Sequence, residues 1–240
     1  MDIVTFLFLL AIGLVSVYIF KTFLKRKATI VTKQPVRDEF TEIREMLSGG
    51  NEGWTAYKDT PQVSVWVKNS ESSAFVVIKG RIVLESTTAK RVFHAIWDPS
   101  FRQTWDDVLS DYKVIEEYTD YSDLTYYYAK SPMPFMVGHR EFIQVRSYKV
   151  EDGDYFVLYR HADKEDIPVK KDCVRAVTII SGNIIGKGDA PNTVVMDFIS
   201  QNDVKGNIPP QLTNTFAPGK CFDWLKKLVK AVNNVPDDIQ

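Results

Sequence analysis

The chain changes hydrophobic period several times. Residues 36–47 carry Val36, Phe40, Ile43 and Leu47 at i, i+4, i+7 and i+11, with Arg37, Asp38, Glu42 and Glu45 on the other side, the stripe of an amphipathic helix. Ser48-Gly49-Gly50 predicts its end. Three strand-like runs follow at 54–58, 62–68 and 74–84; in the second, Val63, Val65 and Val67 alternate with polar positions. The pattern turns helical again after Thr88, where Val92, Phe93, Ile96 and Trp97 cluster. Asp98-Pro99 predicts a restart, because Asp caps a helix N-terminus and Pro suits the first turn. The second short helix carries Phe101, Arg102, Trp105, Asp106 and Leu109.

From there the chain reads almost entirely as strand, in runs at 112–118, 124–130, 140–150, 155–161, 174–187 and 193–201. Charged or glycine-containing turns such as Glu151-Asp152-Gly153-Asp154 divide them. Pro209 and Pro210 open a final helix, and Pro218 is expected to interrupt it. Phe222, Leu225, Leu228, Val229 and Val232 then form a stripe beside Lys226, Lys227 and Lys230. This order predicts an α+β fold: a curved antiparallel sheet of about nine strands around one long C-terminal helix. A sheet of that size gripping a helix leaves room for a cavity between them.

The N-terminus stands apart. Residues 3–20 are apolar apart from Thr5, Gly13, Ser16 and Tyr18, and with 21–24 the run reaches about 20 residues, or ~30 Å of helix, one bilayer core. A cleaved signal peptide needs a basic start and a small-x-small cleavage site. Here the start is Met1-Asp2, and Lys21, Lys25, Arg26 and Lys27 follow the apolar run directly. The expectation is an uncleaved single-pass transmembrane anchor over 1–24, a basic linker over 25–35 and a globular domain over 36–236 that faces the cytosol.

Composition narrows the function. Acidic and basic residues number 31 and 30, so net charge gives no argument for nucleic-acid binding. Cys173 and Cys221 have no metal-ligand spacing, and His94, His139 and His161 form no HExxH or similar pattern, so no metal site and no cofactor are expected. No nucleophile has a recognisable base partner and there is no GxSxG, so an enzyme is not expected. Two features call for explanation. Arg102 and Asp106 are four apart, which by spacing alone is a surface ion pair. The connection Lys130-Ser-Pro-Met-Pro-Phe-Met-Val-Gly places Pro132, Met133, Pro134, Phe135, Met136 and Val137 where a turn should be polar. A loop folded onto the core accounts for this.

FRQTWDD, YYYAKSPMPFMVGHREF, FIQVR and the late GNIPPQLTN together resemble the START (steroidogenic acute regulatory protein-related lipid transfer) domain, in particular the phosphatidylcholine transfer protein and its relatives, over about residues 36 to 234. The resemblance implies a helix-grip fold that encloses one lipid and acts by binding and moving it between membranes. It places Arg102 on the lipid phosphate with Asp106 orienting it, and Tyr127 and Phe142 in an aromatic cage for choline whose third position falls at Ile179. In sterol-carrying members an acid before the loop pairs with an Arg after it; these positions fall at Tyr127 and Arg146, which leaves Arg146 as a further cavity polar group. The Pro132 to Val137 loop becomes the lid, and Leu212, Phe216, Phe222, Leu225, Leu228 and Val232 become the lipid face of the last helix. The implied ligand is a glycerophospholipid such as phosphatidylcholine and the implied partner is a bilayer, with no protein partner identified. A tethered lipid sensor and a sterol or ceramide carrier are the alternatives.

Overall fold

The first amphipathic stripe folds as α1 (Arg37–Ser48), whose Phe40, Ile43 and Leu47 are buried against Val77, Phe156, Leu158, Ile180 and Ile199 on one face of a large sheet. Gly182 makes this seat possible. A Cβ there would lie 2.8 Å from the Val157 carbonyl oxygen and 3.1 Å from Ile43 Cδ1, so the helix approaches the strand only because no side chain intervenes. In this computed structural model the described residues are 37–131, 138–237 and 239, all within one compact unit, Pro35–Gln240.

The strands are β1 (Thr55–Asp59), β2 (Val63–Lys68), β3 (Val77–Glu85), β4 (Ser110–Thr119), β5 (Ser122–Ala129), β6 (His139–Glu151), β7 (Asp154–His161), β8 (Cys173–Arg175), β9 (Val177–Lys187) and β10 (Thr193–Asp203). Nine of them form an antiparallel path, β1-β2-β3-β10-β9-β7-β6-β5-β4. The tenth, β8, pairs with the start of β6 in parallel. The predicted single strand over 174–187 therefore breaks at the fully buried Ala176, whose N–H donates to the Glu141 carbonyl. The Glu151-Asp152-Gly153-Asp154 turn closes the β6–β7 hairpin with Asp152 at φ 55° and Gly153 at φ 87°, the left-handed pair that a two-residue hairpin loop requires.

The helices between the two halves of the sheet are α2 (Ala89–Trp97) and α3 (Pro99–Trp105). The Thr88 hydroxyl accepts from Arg91 N at 3.3 Å and the Asp98 carboxylate from Phe101 N at 2.7 Å, with Pro99 in the first turn, as the restart signal predicts. The last helix, α4 (Pro210–Val232), runs without a break through Pro218. The expected interruption does not occur; Pro218 is buried, so its packing offsets the one backbone donor it lacks.

The core lies between α4, α2 and the inner face of the sheet. Phe222, Leu225, Leu228 and Val232 join Val65, Ile82, Met196 and Ile96 in one buried cluster. The long chain of β6 serves two cores because alternate residues face opposite ways. Glu141 is fully buried on the outer side, where it accepts from Arg175 Nε at 2.8 Å, Tyr126 Oη at 3.1 Å and Lys170 N at 3.2 Å. Arg140 faces the other way and bonds to the backbone carbonyls of Val204, Lys205 and Gly138. The transmembrane expectation over 1–24 lies outside the described residues; among those described, no helix is long and apolar enough to cross a membrane.

Gly80 is a point of close approach between the sheet and α4. A Cβ there would lie 2.6 Å from Cδ1 of Leu225, which is itself fully buried and has nowhere to move. Gly80→Ala is expected to destabilise the fold by about 1–3 kcal/mol, read as a lower urea midpoint with an unchanged slope. An unchanged midpoint would mean that α4 is not seated on β3.

Candidate functional site

A cavity of about 480 Å³ opens between α4 and the inner face of β5, β6, β7, β9 and β10. Its apolar wall includes Ile78, Leu109, Phe142, Phe198, Ala217 and Trp224, and its polar groups include Arg102, Asp106, Gln144, Ser181 and Asn183. Ala129, Lys130, Ser131 and Gly138 line it at one end, together with Leu212 and Phe216 from the first turns of α4. Leu212 is 48% exposed and Phe216 59%, so this end is the mouth.

Arg102 and Asp106 lie in this cavity rather than on the surface. The break at Asp98-Pro99 turns α3 so that its last turn points inward. Arg102 Nε donates to Asp106 Oδ2 at 3.1 Å, and Asp106 is almost wholly buried. The same carboxylate oxygen accepts from Trp224 Nε1 at 2.8 Å, which ties α4 to the ion pair, and Asp106 Oδ1 accepts from Val108 N at 3.3 Å. A buried charge needs this many partners to remain ionised. Arg102 Nη1 adds a 3.3 Å bond to the Ile96 carbonyl. Burial works against the Arg102 charge, but the oxygens of Tyr159, Asp106, Tyr112 and Tyr127 more than offset it, and the guanidinium pKa lies above its ordinary value. A permanently charged, planar donor thus stands in a cavity with much apolar wall. That combination suits a phosphate or carboxylate attached to an apolar body.

The three consecutive tyrosines, which alternation cannot sort from sequence, separate cleanly. Tyr126 packs with Leu124 and Ile143 on the outer face, while Tyr127 lines the cavity. Tyr127 pairs across strands with Phe142, and their rings stack at 4.9 Å with 12° between planes. Stacked parallel rings turn their free faces away from each other and do not converge on a cation as a choline cage does. Ile179, the third cage position, is not among the lining residues. The β9–β10 ladder slips between Gln201 and Asn202, and it is Thr178 that meets the cavity residue Gln144, at 2.6 Å. The rings of Tyr112 and Tyr159 instead lie 5.9 Å from the Arg102 guanidinium carbon.

Three expectations are corrected by placement. Arg146 is not a cavity group: it is 1% exposed, forks onto Asp123 at 2.7 and 2.6 Å, donates to the Trp97 carbonyl at 2.7 Å and lies over the Trp97 ring at 4.1 Å. Its acidic partner is Asp123, directly opposite on β5, and not the Tyr127 position. Phe222, Leu225, Leu228 and Val232 form the packed core; the part of α4 that lines the cavity is Leu212, Phe216, Ala217, Lys220, Cys221 and Trp224, one side of the helix over. Burial pushes the Cys221 thiol pKa up to about 12, leaving a neutral wall group. The Pro132 to Val137 lid lies outside the described residues, although its flanks, Ser131 and Gly138, line the mouth.

A second cleft, of about 650 Å³, lies on the outer face beside α1, but its main charges are already paired, Arg44 with Glu151 and Arg81 with Asp197.

A family model described as START domain matches residues 37–237. The chain belongs to the START domain family. Mouse START domain-containing protein 10 is 28% identical over 186 residues, which cover 77% of this chain and 63% of that protein; the human protein of the same name matches equally. The chain thus spans less than two thirds of these relatives' length. The crystal structure of human STARD10 superposes with a TM-score of 0.78 at 26% identity, covering 87% of this chain and 84% of that one. Human StAR-related lipid transfer protein 5 shares the fold, with a TM-score of 0.74 at 20% identity over 82% of this chain and 94% of that one. The chain carries a START domain on the helix-grip fold.

The Asp123–Arg146 pair separates support from binding. Asp123→Ala would leave a buried guanidinium uncompensated and is expected to cost about 3–5 kcal/mol of stability. Lipid retained per folded molecule should stay the same, because neither residue lines the cavity. Loss of retention in protein that is still folded would show that Arg146 serves the ligand after all.

Proposed function

We propose that this START domain holds one glycerophospholipid, with phosphatidylcholine within that class, and carries it between membranes without chemical change. The observation behind this reading is Arg102: a charged fork, steadied by Asp106 and Trp224, inside a cavity that is open at one end and has extensive apolar wall. The phosphate takes the Arg102 end, and the acyl chains lie along Phe142, Phe198, Ala217 and Phe216.

A carrier of this kind solves a desolvation problem. Two acyl chains of about 30 methylenes cost on the order of 25 kcal/mol to expose to water. The exposed Leu212 and Phe216 at the mouth allow the chains to pass from bilayer to protein without that exposure. The Pro132 to Val137 segment, apolar throughout, is assigned the role of lid over the same opening. The apolar run over 1–24 is assigned as a single-pass anchor, with the domain held at its own membrane on the cytosolic side.

Arg102→Leu is expected to lower retained phospholipid at least about tenfold in full chain loaded from mixed lipids and measured by mass spectrometry, since the charge-assisted pair to phosphate is lost. Circular dichroism should show the protein still folded but less stable, because buried Asp106 loses its counter-charge; undiminished retention would remove the phosphate role. The anchor is checked separately by alkaline carbonate extraction of membranes, in which the full chain should stay in the pellet and release would exclude a spanning segment.

A further inference from the structure

The charges around the cavity do not balance. Among its described lining residues are four cations, Arg102, Lys130, Arg140 and Lys220, and one carboxylate, Asp106. Asp106 is committed to Arg102, to Trp224 and to the Val108 N–H. Residues 132–137, between Ser131 and Gly138 in sequence, carry no charged side chain.

Arg140 is the more telling of the unbalanced cations. It is 8% exposed and has no carboxylate within ion-pair reach among the described residues. Its guanidinium is held by backbone carbonyls only: Nε by Val204 at 2.7 Å, Nη2 by Lys205 at 2.9 Å and Nη1 by Gly138. Three carbonyls orient the fork without neutralising it, and two of its five N–H groups are left over. Lys130 and Lys220 stand exposed at the same opening, and Asp223, one turn along α4 from Lys220, makes no bridge to it. Opposite these cations, the β9–β10 wall offers neutral groups: Ser181, Asn183, Ser200 and Asn202. Asn183 is 2% exposed, and nothing among the described residues donates to its Oδ1.

We infer that the preferred ligand is an anionic phospholipid whose headgroup carries hydroxyls, of the glycerol or inositol kind, rather than a zwitterionic one. This rests on the phospholipid reading above and names its headgroup. A zwitterion leaves the excess of positive charge where it was and brings a cation into a site with no uncommitted carboxylate and no converging aromatic cage. An anionic lipid removes one charge of the excess. Its headgroup hydroxyls can also donate to Asn183 and exchange hydrogen bonds with the serines, which a trimethylammonium group cannot do.

The test uses three synthetic lipids with identical oleoyl chains, each offered to the full chain in neutral detergent micelles so that no charged surface contributes. Phosphatidylglycerol has the negative charge and hydroxyls, phosphatidylmethanol has the charge alone, and phosphatidylcholine has neither. Retention by mass spectrometry should fall in that order, with phosphatidylglycerol favoured over phosphatidylcholine by about tenfold. The double variant Lys130→Gln, Lys220→Gln alters only exposed side chains; it should fold normally and lose about threefold or more of the preference. Phosphatidylcholine retained as well as phosphatidylmethanol would overturn the charge argument, and phosphatidylmethanol retained as well as phosphatidylglycerol would overturn the hydroxyl argument. An unchanged preference in the double variant would overturn the assignment to the mouth. Retention of none of the three would instead defeat the phospholipid reading itself.

Discussion

A guanidinium inside a protein is tolerable only if its charge is answered there, and the site is organised around that constraint. Arg102 is answered by Asp106, and Asp106 is held by Trp224 from α4 and by the backbone after α3. The ion pair therefore joins the two elements that wall the cavity. Removing water from such a pair raises the strength of any contact it makes with an incoming anion, because the surrounding dielectric is low. The apolar wall that shelters the acyl chains is thus the same feature that makes one charged side chain an effective handle for a phosphate.

Arg146 shows how the same residue type serves the opposite purpose. Its charge is taken by Asp123, a third bond goes to the Trp97 carbonyl, and its face is covered by the Trp97 ring. It locks α2 to β5 and β6 and does not line the cavity. Arg140 lies between these cases, oriented by carbonyls yet unneutralised. Each of the three arginines is largely buried, so burial alone does not identify a binding group. What distinguishes Arg102 and Arg140 from Arg146 is that they line the cavity.

Most of the fold was legible from sequence because it follows from short-range pattern. The stripe of α1, the Asp98-Pro99 restart and the Asp152-Gly153 hairpin each depend on residues within a few positions of one another. The errors came where packing decides. Pro218 should end a helix by local rules, and burial keeps it inside one. The run over 174–187 has strand composition throughout, and only the pairing of β8 with β6 splits it. In the site, Arg102, Asp106, Tyr127 and Phe142 are brought together, but Arg146 and the lower stripe of α4 are not. Asp123 could not be matched to Arg146 without the β5–β6 register, whereas Arg140 was available in principle, since it shares one face of β6 with Phe142 and Gln144 by simple alternation. Trp224 sits just beside the predicted stripe, and its bond to Asp106 spans 118 positions, beyond any local signal.

The central claim is that a lipid phosphate meets Arg102 inside the cavity. Phosphorus NMR of the full chain after loading and removal of free lipid tests it most directly. The account predicts one protein-bound phosphorus resonance per molecule, displaced from the micellar lipid and lost in Arg102→Leu. A loaded protein that retains lipid but shows no bound phosphorus would contradict it.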